Sequence, residues 1–215
     1  MKRILPVLGF TFLTVAGFSV VSPVSATVIT FDDMSSSIFS NGVPFDQTVI
    51  TNGYQGFDWA NFFTLNGPLE VEVYGTNGAY YGMVTASNVA FNGGGTPAEV
   101  DSSGTNFNFL SAYLTGAWKS NLNIEVQGFS GATLLYDTTV VANATSPTPF
   151  TFNYLDIDRL TFNSFGGQNA GFPLGSGEQF AMDNFTFEFV PEPSSLLLAT
   201  AGALLLCPFL KRRRA

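Results

Sequence analysis

The feature that most constrains this chain is its turn punctuation. Asn-Gly pairs begin at Asn41, Asn52, Asn66, Asn77 and Asn92, and Gly runs fall at Gly93–Gly95 and Gly166–Gly167. Asn and Gly tolerate the positive φ of tight turns, so each pair marks a place where a short element ends and the chain reverses. Between these marks no convincing amphipathic helical period runs, whereas short alternating segments recur. Leu69 to Tyr74 alternates cleanly, with Leu69, Val71 and Val73 on one face and Glu70 and Glu72 on the other, the pattern of a half-solvated strand. Further strands are predicted at Thr27–Phe31, Val84–Phe91, Phe107–Leu114, Leu122–Phe129, Thr133–Val141, Phe150–Leu155, Arg159–Asn163 and Gln179–Phe189, about nine in all. The expected fold is all-β, an antiparallel β-sandwich of the jelly-roll kind spanning residues 27–189 as one domain.

Composition supports a packed core and removes much chemistry. The 215 residues are 46% hydrophobic and 11% charged, with 23 Phe, too apolar for a disordered chain. There is no His, and the single Cys, Cys207, lies in an apolar tail. Ser-His-Asp and Cys-His catalysis, the usual zinc ligand sets and an internal disulfide are therefore excluded. Of eight basic residues, only Lys119 and Arg159 lie between the ends, facing fifteen carboxylates over residues 27–190. So acidic a surface repels phosphate backbones, and no nucleic-acid partner is expected.

The two ends read as addresses. Residues 1–26 run from Lys2 and Arg3 through an apolar stretch to Val24-Ser25-Ala26, the order of a signal peptide cut after Ala26 by the secretion machinery. At the other end Val190-Pro191-Glu192-Pro193 leads into an apolar segment and then Lys211, Arg212, Arg213 and Arg214. A helix over residues 194–210 would be about 25 Å long, slightly short for a bilayer, with the basic cluster held inside and the acidic middle outside. This arrangement over residues 190–215 resembles the PEP-CTERM sorting signal. The resemblance implies recognition of the Pro-Glu-Pro by an exosortase-type membrane enzyme, transient membrane anchoring, and a Gram-negative host that makes exopolysaccharide. The expected destination is the cell surface or the extracellular biofilm matrix.

Three internal segments, Tyr54-Gln55-Gly56-Phe57-Asp58-Trp59, Ala112 to Trp118, and Phe180-Ala181-Met182-Asp183-Asn184-Phe185, resemble the jelly-roll ectodomains carried by many PEP-CTERM proteins. Those domains in turn look like carbohydrate-binding modules, a likeness that names no ligand.

Two candidate sites follow. If the first and last strands pair, Asp32, Asp33 and Asp183 become neighbours and supply part of a structural calcium site; the alternative is a strand end and a bulge facing water. Tyr54, Trp59, Tyr80 and Tyr81 are candidate rings for stacking on sugar faces, although a period-2 pair such as Phe57 and Trp59 packs naturally in a core. No catalytic residue is expected, since Glu70 and Glu72 read as a solvated strand face and no motif surrounds them. The sequence thus points to a non-enzymatic surface or matrix protein, its acidic face open to calcium bridging toward exopolysaccharide. The alternatives are a lectin-like carbohydrate-binding module and, behind it, a polysaccharide hydrolase. Ice binding is set aside for want of Thr-x-Thr arrays.

Overall fold

A computed structural model of the chain describes residues 25–34, 38–40, 43–45 and 47–191. In chain order the strands are β1 (Thr27–Ile29), β2 (Ile38–Ser40), β3 (Val43–Phe45), β4 (Gln47–Val49), β5 (Asp58–Ala60), β6 (Phe62–Asn66), β7 (Asn88–Asn92) and β8 (Ala98–Asp101). They continue with β9 (Phe107–Gly116), β10 (Lys119–Ser130), β11 (Thr133–Ala142), β12 (Thr148–Ile157), β13 (Arg159–Asn169) and β14 (Phe180–Phe189). Two helices, α1 (Gly67–Tyr74) and α2 (Gly78–Tyr81), stand between β6 and β7.

The strands form an antiparallel β-sandwich. One sheet runs β12-β9-β14-β7-β6-β4, with β1 on the free half of β14; the other runs β11-β10-β13-β8-β5; β2 and β3 pair as a hairpin. The first and last strands do meet, Thr27 opposite Phe187 and Ile29 opposite Phe185. Alternation decides which side chains enter the core. On β10, Leu122, Ile124 and Val126 point inward and are fully buried. They face a set of Phe rings from the first sheet. Phe62 meets Phe162 of the opposite sheet at 5.6 Å edge-to-face, and Phe57 contacts Phe107 at 4.9 Å and Phe187 at 4.8 Å in the same manner. Edge-to-face pairs of this kind contribute about 0.5–1.5 kcal/mol each beyond their burial.

A bulge on β14 re-aims its side chains. Before it Phe180 and Met182 face the core; after it Phe185 and Phe187 do, with Asn184 at φ +50° absorbing the extra residue. Ala181 and Asp183 are also buried, because the outer face of this half of the sheet is covered. The cover is α1 and α2, under which Leu65, Ala79, Val89, Phe91 and Ala181 make a second, smaller core.

The helices correct the sequence reading. Leu69 to Tyr74 is not a strand. Asn66 caps α1 by accepting the Leu69 N–H through its side chain at 3.1 Å, Pro68 occupies the first turn, and Gly75 closes the helix with its N–H on the Val71 carbonyl. The alternating pattern had no sheet to join, and local capping won. Asn77 caps α2 in the same way, through the Ala79 and Tyr80 N–H groups. Two of the five Asn-Gly pairs are therefore helix starts. The short strands β2 to β6 and β8 went unread as strands, whereas the long strands β9 to β14 fall where alternation predicts them. Among the described residues no helix is long and apolar enough to cross a membrane. The signal segment up to Val24, together with Glu192, Pro193 and the apolar and basic tail, lies outside the described residues.

Candidate functional site

Beside the small outer core the fold opens a cleft of about 300 Å³, bounded by the two helices, the β9–β10 turn and the connection from Gly171 to Gln179. Apolar wall comes from Trp118, Tyr74 and Leu174; polar groups come from Glu70, Gln47 and Gln179. The sequence builds this hollow through close backbone approaches. Gly78 donates its N–H to the Ala117 carbonyl at 2.8 Å, and a Cβ there would meet the Gly116 oxygen at 1.8 Å. Only glycine lets α2 dock on the turn that carries Trp118. On the other side Gly175 lies against the six-membered ring of Trp118, where a Cβ would come within 2.4 Å of three ring atoms. Phe172 adds an edge contact at 6.4 Å, so the half-buried indole is clamped in one orientation.

Glu70 is the buried carboxylate of the cleft, 3% exposed. Asn77 holds it, donating from Nδ2 to Oε1 at 3.0 Å while its own Oδ1 caps α2. Asn77 is itself fully buried, so one side chain fixes both a helix start and the acid beside it. The earlier expectation that Glu70 and Glu72 share a solvated face is corrected: on a helix they separate, Glu70 inward and Glu72 exposed. A rigid aromatic plane, amide groups and an oriented carboxylate around a hollow of this size suit a small polar ligand with one apolar face.

The candidate stacking rings divide. Trp59 is corrected to a core residue: it is 5% exposed, packs edge-on against Phe62 at 5.4 Å, and donates its indole N–H to the Tyr54 carbonyl at 3.0 Å. Tyr54 is half-buried and donates its hydroxyl to Asp33 at 2.6 Å. Burial and the adjacent Asp33 hold that phenol in its neutral form well above the ordinary tyrosine range. Tyr80 and Tyr81 sit on α2, whose Ala79 lines the cleft. Tyr81 is exposed and stacks on Phe172 at 6.1 Å, extending the aromatic surface from Trp118 outward.

The three aspartates do not converge on one point. Asp33 turns to Tyr54 and Gln55. Asp32 accepts the Asn88 N–H at 3.0 Å, and Asn88 in turn donates to the Phe31 and Met34 carbonyls. Asp183 is fully buried on the covered face of β14 and accepts N–H groups of Val84 at 2.7 Å, Thr85 at 3.0 Å and Asn184 at 2.7 Å. Burial raises the pKa of Asp183; the three N–H groups oppose that shift, and the charge of Asp32 adds to it. The carboxylate ties the α2–β7 connection to the sheet, its lone pairs taken by N–H donors. Among the described residues no group of three Asp, Glu, Cys or His side chains gathers for a metal ion.

Sequence reasoning set Glu70 aside as a solvated residue, gave Trp118 no ligand role, and missed Asn77 and Gln179. The usable signal lay at the helix starts: Asn66 three residues before Leu69 with Pro68 between, and Asn77 before Gly78.

No family model matches the chain, and no curated protein matches it. A solved structure of a DUF4465 family protein from Bacteroides caccae ATCC 43185 is similar at 12% identity and TM-score 0.52, covering 76% of this chain and 98% of that one. That likeness supports the sandwich fold. A DUF4465 family protein from Bacteroides ovatus ATCC 8483 follows at 9% identity and TM-score 0.45, covering 77% and 99%. The K1 cleaved adhesin domain of Lys-gingipain from Porphyromonas gingivalis W83 aligns at 10% identity and TM-score 0.40, covering 79% and 99%.

Proposed function

We propose that this chain is an exported, non-enzymatic saccharide-binding protein of the cell surface or exopolysaccharide matrix, with its ligand seated in the cleft between Trp118 and Glu70. One observation carries the reading: a clamped indole lines a hollow whose polar wall holds a buried carboxylate and two amides. Sugars present axial C–H groups to an aromatic ring and hydroxyls to acids and amides, so this wall chemistry matches both sides of a pyranose. The volume suits about one or two rings, at the low end for ligand sites. The acids of the cleft support a reading of binding without turnover. Glu70 is the one carboxylate among the described residues lining the cleft, whereas glycoside hydrolysis works with a pair about 5–9.5 Å apart.

Export and sorting rest on the two ends of the sequence. The signal segment before Thr27 directs secretion, and the PEP-CTERM-like tail after Val190 directs membrane insertion and processing by an exosortase-type enzyme. In this reading the sandwich is a jelly roll that reaches the matrix once the tail is cut. The test of binding is electrophoresis of the protein through gels cast with the host's exopolysaccharide. Retardation that is lost on Trp118→Ala and kept on Tyr54→Phe supports the cleft; equal mobility of all three with and without polysaccharide refutes it. Mass spectrometry of the mature protein tests sorting separately, and a chain still ending in Ala215 refutes that part.

A further inference from the structure

The edges of the two sheets are not treated alike. Among the described residues β1, β4 and β5 are edge strands of three residues each, too short to template another strand. β12 is ten residues long, but it carries Pro149, two register shifts, and Asn153 and Asp156 at φ +51° and +59°. These are the devices by which sheets keep edges from pairing. The ten residues of β11 carry one of them, a single register shift near its start. No Pro, Lys or positive-φ residue interrupts the strand, Asp137 is its single charge, and its one irregularity lies between Leu134 and Tyr136. From Tyr136 to Ala142 the strand pairs regularly with β10 on one side, while along its length Leu134, Leu135 and Val141 stand 45–50% exposed.

We infer that β11 is a self-association edge, at which two copies of this chain join antiparallel into one continuous sheet. The sequence of the strand selects a second copy as the occupant. A two-fold axis normal to the sheet keeps paired side chains on one face, so some residue must oppose its own twin. Centred on Asp137, the pairing would set two carboxylates together. Centred on Thr139, the seven regular residues pair throughout: Thr139 with its twin, Thr138 with Val140, Asp137 with Val141 and Tyr136 with Ala142. β-branched residues oppose one another on the inner face, and each Asp137 lies opposite an apolar side chain. The fifteen carboxylates of residues 27–190, set against two cations, repel between copies, so association strengthens as salt is added. This interface is independent of the cleft.

The test is disulfide trapping in the full chain, held in detergent, with Cys207→Ser removing the native thiol. Thr139→Cys is expected to convert most of the protein to a covalent dimer under mild oxidation, while Thr151→Cys on β12 stays monomeric. In the chain without added cysteines, Thr139→Lys sets two ammonium groups opposite each other. It is expected to shift sedimentation from twice the monomer mass to the monomer mass with the far-ultraviolet spectrum unchanged. Equal trapping at positions 139 and 151, or a native chain that sediments as a monomer at high salt, overturns the inference.

Discussion

Replacing Gly78 by Ala tests whether the cleft depends on the close approach of α2 to the β9–β10 turn. The added Cβ would sit 1.8 Å from the Gly116 oxygen and 2.9 Å from that of Ala117. Normal C–H···O contacts are roughly 3.3 Å or longer, so the two segments must part by about 1.5 Å. Overpacking of this kind costs about 1–3 kcal/mol. The Gly78 N–H to Ala117 carbonyl bond stretches with it, adding about 1 kcal/mol. A total of about 2–4 kcal/mol lowers Tm by roughly 4–16 °C in a domain of this size. The assay is thermal unfolding by circular dichroism, alongside Gly131→Ala as control. Position 131 is open, and its φ of +55° adds only a backbone cost of about 1–2 kcal/mol. The Trp118 environment should also change, since its turn moves with the helix. A Gly78→Ala protein whose Tm lies within 2 °C of the native value refutes the docking argument.

Asp183→Asn separates burial from charge. Because the folded pKa of Asp183 is raised, its contribution is fully present below the unfolded value of about 3.9 and is lost as pH rises through the folded value. Urea midpoints of the native protein should therefore fall relative to Asp183→Asn as pH is raised across that window, and parallel curves would exclude the mechanism. Trp59→Ala empties a core site and should cost about 3–5 kcal/mol in urea unfolding, whereas Tyr81→Ala, at an exposed ring, should cost under about 1 kcal/mol. Asn92 is buried and bridges the sheets, donating to Ser164 Oγ at 3.0 Å and accepting the Phe180 N–H at 2.8 Å. Its change to Leu strands both partners and should cost about 2–4 kcal/mol by the same measurement. Calcium and a chelator should each leave Tm within about 1 °C, because N–H donors already occupy the Asp183 carboxylate.

The long strands were legible because each carries its own alternation. Leu122, Ile124 and Val126 announce an inward face without help from any neighbour. The meeting of β1 with β14 was legible too, as the closing logic of a sandwich. The cleft was not. Its carboxylate sits in a segment whose alternation mimics a strand, and the decisive information was two capping asparagines that look like ordinary turn residues. The aromatic rings show the same limit. Trp59 and Trp118 differ by 59 positions and by nothing in their immediate chemistry, yet one is walled in by Phe31, Phe57 and Phe62 while the other is clamped at a rim by Gly175. Which ring meets solvent is set by nonlocal packing.

The most direct measurement follows Trp118 itself. Trp59 and Trp118 are the two tryptophans, so Trp59→Phe leaves an indole at the cleft alone. Titrated with short oligosaccharides cut from the host's exopolysaccharide, that protein should show a saturable blue shift in emission, abolished when Gln replaces Glu70. Emission that stays constant while the same protein is retarded by the intact polysaccharide would place the ligand elsewhere and contradict the account.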